Sequence, residues 1–288
     1  MEPAPQRPGA TPTRALLLLL GFTLLQWLTP MARFPLAWLP FLNVLSTLLF
    51  LGIPLAFVYQ ASKVQVSARG TVLLLIGSFL VFAGAGLLFQ QVKGPMAGLL
   101  HGVGQGALLA AAGSAGMLVA RAVKEPNMLV PIAPVLALVD IATVLSPVGI
   151  AKQVMEKAPE VFEKVAVTVP TVGSTTPLAF MGPADVLFVA MFFAVLHRAE
   201  FRAKATLLWL IPTLFGYMLF VLLLGGLSVG GFRLSGLPAL VPIAAVILIV
   251  NRSCFTLSAS EKRMTWALVG ITALITAALL TLPSQNTQ

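Results

Sequence analysis

The chain has 288 residues, of which 58% are hydrophobic and only 9% charged, a composition that excludes an ordinary soluble globular domain. Its net charge of +9 comes from 18 Lys and Arg residues scattered through the connections between apolar runs, the pattern that sets membrane topology and not the stripe of a nucleic-acid-binding surface. The single cysteine, Cys254, excludes an internal disulfide and a cysteine-based metal site, and the absence of a His-Glu-x-x-His pattern argues against an intramembrane zinc protease.

Apolar stretches of about 20 residues recur along the chain, the length needed to cross a bilayer as a helix. They predict an all-α polytopic membrane helix bundle, a single transmembrane domain over 1–288 with about nine transmembrane helices and a polar tail at 1–14. The candidate spans are 15–32, 35–60, 71–91, 95–120, 128–149, 178–197, 205–229, 237–250 and 264–281; two are short, so eight is the alternative count. The first span follows Arg7 and Arg14 and resembles a signal-peptide core, but the many spans behind it favour an uncleaved helix.

The fourth span carries Gly94, Gly98, Gly102 and Gly106, each four apart, a stripe that lets a neighbouring helix approach closely. His101 and Gln105 share a face of the same helix, either as hydrogen-bonded interior residues or as the lining of a polar cavity. Gly113-Ser114-Ala115-Gly116 has its serine one place early for a rhomboid-type protease and is better explained by packing. No internal repeat is found, which disfavours the inverted-repeat transporters.

Between the fifth and sixth spans lies a loop at 150–176. Its first part alternates Lys and Glu with Val154, Met155, Val161 and Phe162 at helical spacing, which predicts a short amphipathic helix on the membrane surface over 151–165. The stretch 168–176, rich in Thr, Pro, Gly and Ser, reads as a flexible linker.

Only two aspartates occur in the chain, and both sit in apolar spans: Asp140 in the fifth, Asp185 in the sixth. A charged carboxylate at mid-bilayer costs about 2.5–3.5 kcal/mol on insertion scales, so such residues are functional candidates by default. No Lys or Arg lies inside the spans to form a simple internal salt bridge. Two carboxylates a few ångströms apart cannot both ionise cheaply and so share a proton. Such a pair can activate a water on one carboxylate and protonate an oxyanion from the other.

Three segments now resemble the presenilin and signal peptide peptidase family of intramembrane aspartyl proteases, in that family's order. They are Val139-Asp140 within an apolar helix followed by Ser146-Pro147-Val148-Gly149, then Gly182-Pro183-Ala184-Asp185, then Pro238-Ala239-Leu240. The resemblance covers about 110 residues, 135–245. It departs from the pattern at two places: Val139 stands where the family has Tyr, and Ala184 where it has the Gly before the second aspartate. A helix beyond Pro-Ala-Leu, 264–281, is unusual beside presenilin. The resemblance implies a presenilin-like bundle and an aspartic endopeptidase with Asp140 and Asp185 as catalytic residues. It implies substrate contacts at Gly182, Pro183, Ala184, Leu237, Pro238, Ala239 and Leu240. It implies no cofactor and no metal.

A helical substrate must unwind to be cut, and unwound backbone at membrane depth needs hydrogen-bond partners. A strand-like edge near 237–240, or before Met181, is expected to supply them by β-addition. The expected partners are therefore transmembrane helical peptides and the lipid bilayer, with no nucleic acid. With nine spans and a cytoplasmic N-terminus, twelve Lys and Arg fall on the cytoplasmic side and six outside. The loop between the aspartates then faces outward, as in signal peptide peptidases and opposite to presenilin, which implies substrates such as signal-peptide remnants. The compact loops suggest a prokaryotic inner-membrane protein. The rival readings are a proton-coupled transporter with the aspartates as a relay, and an inactive relative that binds transmembrane helices without cutting. Prepilin peptidases share the Gly-x-Gly-Asp pattern but carry a cysteine-rich cytoplasmic segment that this chain lacks.

Overall fold

A computed structural model describes residues 12–64, 66–224 and 238–282. In chain order the elements are α1 (Pro12–Leu28), α2 (Leu39–Ala61), α3 (Ala68–Phe89), α4 (Pro95–Val119), α5 (Leu129–Leu145), α6 (Ile150–Lys157), α7 (Pro159–Val165), β1 (Val167–Pro170), β2 (Pro177–Met181), α8 (Pro183–Arg198), α9 (Ala203–Leu224), α10 (Leu240–Asn251) and α11 (Ala259–Thr281). Seven stretches among the described residues are long and apolar enough to cross a membrane, so this is a polytopic helical membrane protein. The long helices are predominantly apolar around their whole circumference. On α3, Leu73, Phe79 and Leu80 are all exposed, which suits lipid and not water.

The chain divides into two compact units. The first holds α1–α4, the β1–β2 hairpin and α8; α4 packs against α1, α3 and α8. The glycine stripe on α4 does what its spacing suggests. A methyl group added at Gly102 would stand 2.7 Å from the Thr23 carbonyl oxygen of α1, and one at Gly106 would collide with the Thr23 hydroxyl. Gly94 is different: it precedes the helix at φ 74°, a conformation that favours glycine. Gly113 and Gly116 also belong to packing, Gly113 facing Phe57 and Gly116 the backbone of α8 at Leu187.

The second unit holds α5, α6, α7, α9, α10 and α11, with α5 packed against both α10 and α11. Hydroxyls join α5 to α11: Thr276 Oγ1 donates to the Leu138 carbonyl (3.2 Å) and Ser146 Oγ to the Leu279 carbonyl (2.9 Å). Buried Asn251 ties α10 to α9. Its Nδ2 donates to Thr206 Oγ1 at 2.9 Å, and its Oδ1 accepts the Arg202 N–H at 3.0 Å. Asn251→Leu should lower stability by about 1–3 kcal/mol, because it strands the Arg202 N–H and leaves the Thr206 hydroxyl only the bond it donates to the Arg202 carbonyl. Thermal unfolding in detergent measures this, and an unchanged midpoint would remove Asn251 from the account of how α9 and α10 are joined.

Two expectations for the loop need correction. The amphipathic segment is not one helix but two, because Pro159 forces Ala158 out of helical geometry (φ −142°, ψ 57°) and then opens α7. The stretch 168–176 is not a flexible linker but part of an antiparallel hairpin, with Val167 opposite Met181 and Val169 opposite Ala179. Gly173, at φ 74°, forms its turn, and Thr171 Oγ1 closes it by donating to the Thr176 carbonyl (2.6 Å).

Candidate functional site

Asp140 lies in the second unit and Asp185 in the first. Helix α5 carries Asp140 and ends at Leu145, where Ser146 turns extended (φ −67°, ψ 144°). The turn Ser146-Pro147-Val148-Gly149 is closed by the Gly149 N–H donating to the Ser146 carbonyl at 3.0 Å. A Cβ at Gly149 would strike the carbonyls of Ala142 and Thr143, so glycine is required at the end of this Pro-x-Gly.

Asp140 Oδ2 accepts the backbone N–H of Leu240 at 2.9 Å. Leu240 opens α10. The first N–H groups of a helix have no partner within it, and the helix end carries partial positive charge. In hydrocarbon such groups must be satisfied by protein. Asp140 thus caps α10 from a neighbouring helix, and the first and third of the three sequence segments meet. Pro238 and Leu240 are buried and Ala239 half-buried. The expected strand-like edge at 238–240 is absent, since Pro238 enters a turn whose carbonyl already accepts the Val241 N–H at 3.2 Å, and the chain continues as helix. Leu237 lies outside the described residues. One residue the sequence did not point to is Tyr217 of α9, within electrostatic range of Asp140. Nothing local in the sequence marks it, although it is one of only two tyrosines.

In the first unit, Pro183 opens α8 and Asp185 sits in its first turn, where the helix dipole favours an acidic group. The Asp185 N–H donates to the Gly182 carbonyl at 3.1 Å. The carboxylate folds back toward Gly182, so that a Cβ there would stand 3.2 Å from Asp185 Oδ2. Gly182→Ala should therefore push the carboxylate aside by a few tenths of an ångström and slow any reaction it performs by up to about tenfold, with little change in folding. A rate equal to wild type would show that Gly182 is not needed for room. Ala184, which stands where the family has glycine, is exposed. Strand β2, the segment expected before Met181, runs directly into Gly182 and belongs to a sheet of two strands. His101 and Gln105 are hydrogen-bonded interior residues, both bonded to Thr168 of β1.

No protein-family model, no curated protein and no solved structure matches this chain, so the likeness to presenilins and signal peptide peptidases stands on its three segments and on the chemistry of the residues in them.

Proposed function

We propose that this protein is an intramembrane aspartyl protease in which Asp140 and Asp185 form the catalytic dyad. The observation that carries the reading is the Asp140–Leu240 hydrogen bond: the Pro-Ala-Leu segment, separated from Asp140 by 100 positions, comes to the carboxylate itself. One carboxylate takes a proton from water as the water oxygen bonds to the scissile carbonyl carbon. The other gives its proton to the oxygen that becomes negative. The tetrahedral species then loses its C–N bond: the first carboxylate passes its proton to the leaving amine while a hydroxyl of the tetrahedral species returns one to the second, so the dyad again holds a single proton. The substrate is a transmembrane helix or signal-peptide remnant whose unwound backbone adds alongside strand β2, next to Gly182, Pro183 and Ala184.

The same bond supports a second reading. A carboxylate that caps α10 has a structural use, and a chain so built could bind transmembrane helices without cutting. A labelled transmembrane peptide incubated with purified protein across pH decides between them. Cleavage lost in both Asp140→Asn and Asp185→Asn establishes the protease; binding without cleavage in wild type establishes the helix binder.

The proposed topology is nine crossings with a cytoplasmic N-terminus, in the inner membrane of a prokaryotic cell. Within the first unit, His197 of α8 bonds the Tyr59 carbonyl at the end of α2, and Arg198 bonds the Ala120 carbonyl just past the end of α4. Arg121 bonds the Val66 carbonyl just before α3, so Lys63, Arg69, Arg121 and Arg198 collect at one end. At the other end the Gly173 N–H bonds the Thr29 carbonyl after α1. Helices α4 and α8 thus run in the same direction, which fits an odd number of crossings in the chain between them. A reporter inserted at 173–176, the hairpin tip, should read as external; a cytoplasmic reading overturns this orientation.

A further inference from the structure

Strand β1 is buried although it has one neighbouring strand: Val167, Thr168 and Val169 are 1%, 4% and 5% exposed. In an antiparallel ladder successive residues turn their N–H and C=O to opposite edges. The edge away from β2 faces membrane helices, where no water is present to satisfy it. Two buried glutamines take that place. Gln105 Oε1 of α4 accepts the Thr168 N–H at 2.9 Å, and Gln26 Nε2 of α1 donates to the Thr168 carbonyl at 2.6 Å. The backbone fixes both amide orientations, because an N–H can bond only the amide oxygen and a carbonyl only the amide nitrogen. The Thr168 hydroxyl lies 3.3 Å from His101 Nε2 and 3.4 Å from Gln26 Oε1. Further along the strand, Ser46 Oγ of α2 donates to the Pro170 carbonyl at 3.0 Å. Side chains of three helices therefore stand where a third strand would.

We propose that Gln26 and Gln105 are positioning residues: by gripping Thr168 on the edge away from β2, they fix the ladder that delivers Met181, Gly182 and Asp185 to their places. The catalytic consequence rests on the protease reading; the mechanical one does not. If the amides only glued α1 to α4, their hold would end at those helices. Here it passes through Val167 and Val169 to Met181 and Ala179, and the chain then has only Gly182, Pro183 and Ala184 before the aspartate.

The test is hydrogen–deuterium exchange of the full protein in lipid nanodiscs, read over 167–186, with cleavage of a labelled transmembrane peptide measured beside it. Gln105→Leu and Gln26→Leu should each speed exchange across both strands and the first turn of α8 by about tenfold, the loss expected from one buried hydrogen bond. The near-isosteric acids give opposite results. Gln105→Glu keeps an accepting oxygen in either protonation state and should protect better than Gln105→Leu at every pH, whereas Gln26→Glu can reach the Thr168 carbonyl only as the protonated acid and should approach Gln26→Leu as the pH rises. Cleavage should follow the same order. Faster exchange confined to β1, or a Gln105→Glu protein no better than Gln105→Leu, overturns the proposal. If a leucine variant fails to fold, the two acids still decide. A wild-type protein that cuts no peptide refutes the protease, and the exchange order alone then supports or overturns the clamp.

Discussion

Asp140→Asn and Asp185→Asn should each reduce cleavage of a transmembrane peptide by about a thousandfold or more, the scale seen when one member of a catalytic unit that acts together is removed. Asparagine keeps the shape of the side chain but can neither hold the shared proton nor take one from water. In Asp140→Asn the substitution also separates chemistry from architecture. The amide oxygen of the new side chain would still accept the Leu240 N–H, so α10 keeps its cap and the thermal midpoint should hold. Asp140→Leu removes the acceptor as well, and a stranded N–H should cost a further 1–3 kcal/mol or so. An Asp140→Asn protein that loses activity and stability together would favour the structural reading of this carboxylate. The pH profile is the second part of the test. On the proposed protease reading the active dyad holds one proton, so activity should fall at low pH as the second carboxylate takes a proton, and fall again at high pH as the shared proton leaves. A rate that rises steadily with pH contradicts proton sharing.

The long spans were legible because a membrane helix writes itself as about 20 apolar residues, and the α4 stripe because glycines four apart share one helix face. What composition could not supply was partnership. The hairpin was hidden by Pro170 and Pro177, which argue locally against a strand, and by the Thr, Gly and Ser of its turn. Its β-branched Val167, Thr168 and Val169 were the available signal, but the pairing with 177–181 and the Gln26 and Gln105 bonds to the other edge come from residues remote in sequence. Pro159 was a readable helix break, overridden in the reading by the apolar period on either side of it. At the candidate site the two aspartates were found by their rarity in apolar spans. The Leu240 N–H on Asp140 was not, since a hydrogen bond between a side chain and a distant backbone leaves no mark in either local sequence.

Gly116→Ala should be the most destructive single-methyl change in the first unit. The added Cβ would collide with the Leu187 carbonyl oxygen of α8 and stand 2.7 Å from Ala190 Cβ. A backbone carbonyl engaged in its helix cannot rotate aside as a side chain can, so the helices must separate, at a cost of about 1–3 kcal/mol for overpacking. In lipid no hydrophobic force presses them back together, because hydrocarbon solvates the exposed faces as well as the partner helix does. Two other glycines serve as controls. Gly104→Ala meets Ala85 Cβ at 3.6 Å, an ordinary contact, and Gly84→Ala meets nothing within 4 Å. Both should be neutral or stabilising by about 0.5–1 kcal/mol, as alanine is the better helix former. Leu187 lies in the turn of α8 that carries Asp185, so a shifted α8 displaces the carboxylate as well. In Gly116→Ala the cleavage rate per folded molecule should therefore fall too, while in the controls it should not. If all three variants unfold at the same temperature, the close crossing of α4 and α8 at Gly116 does not constrain this unit and does not place Asp185.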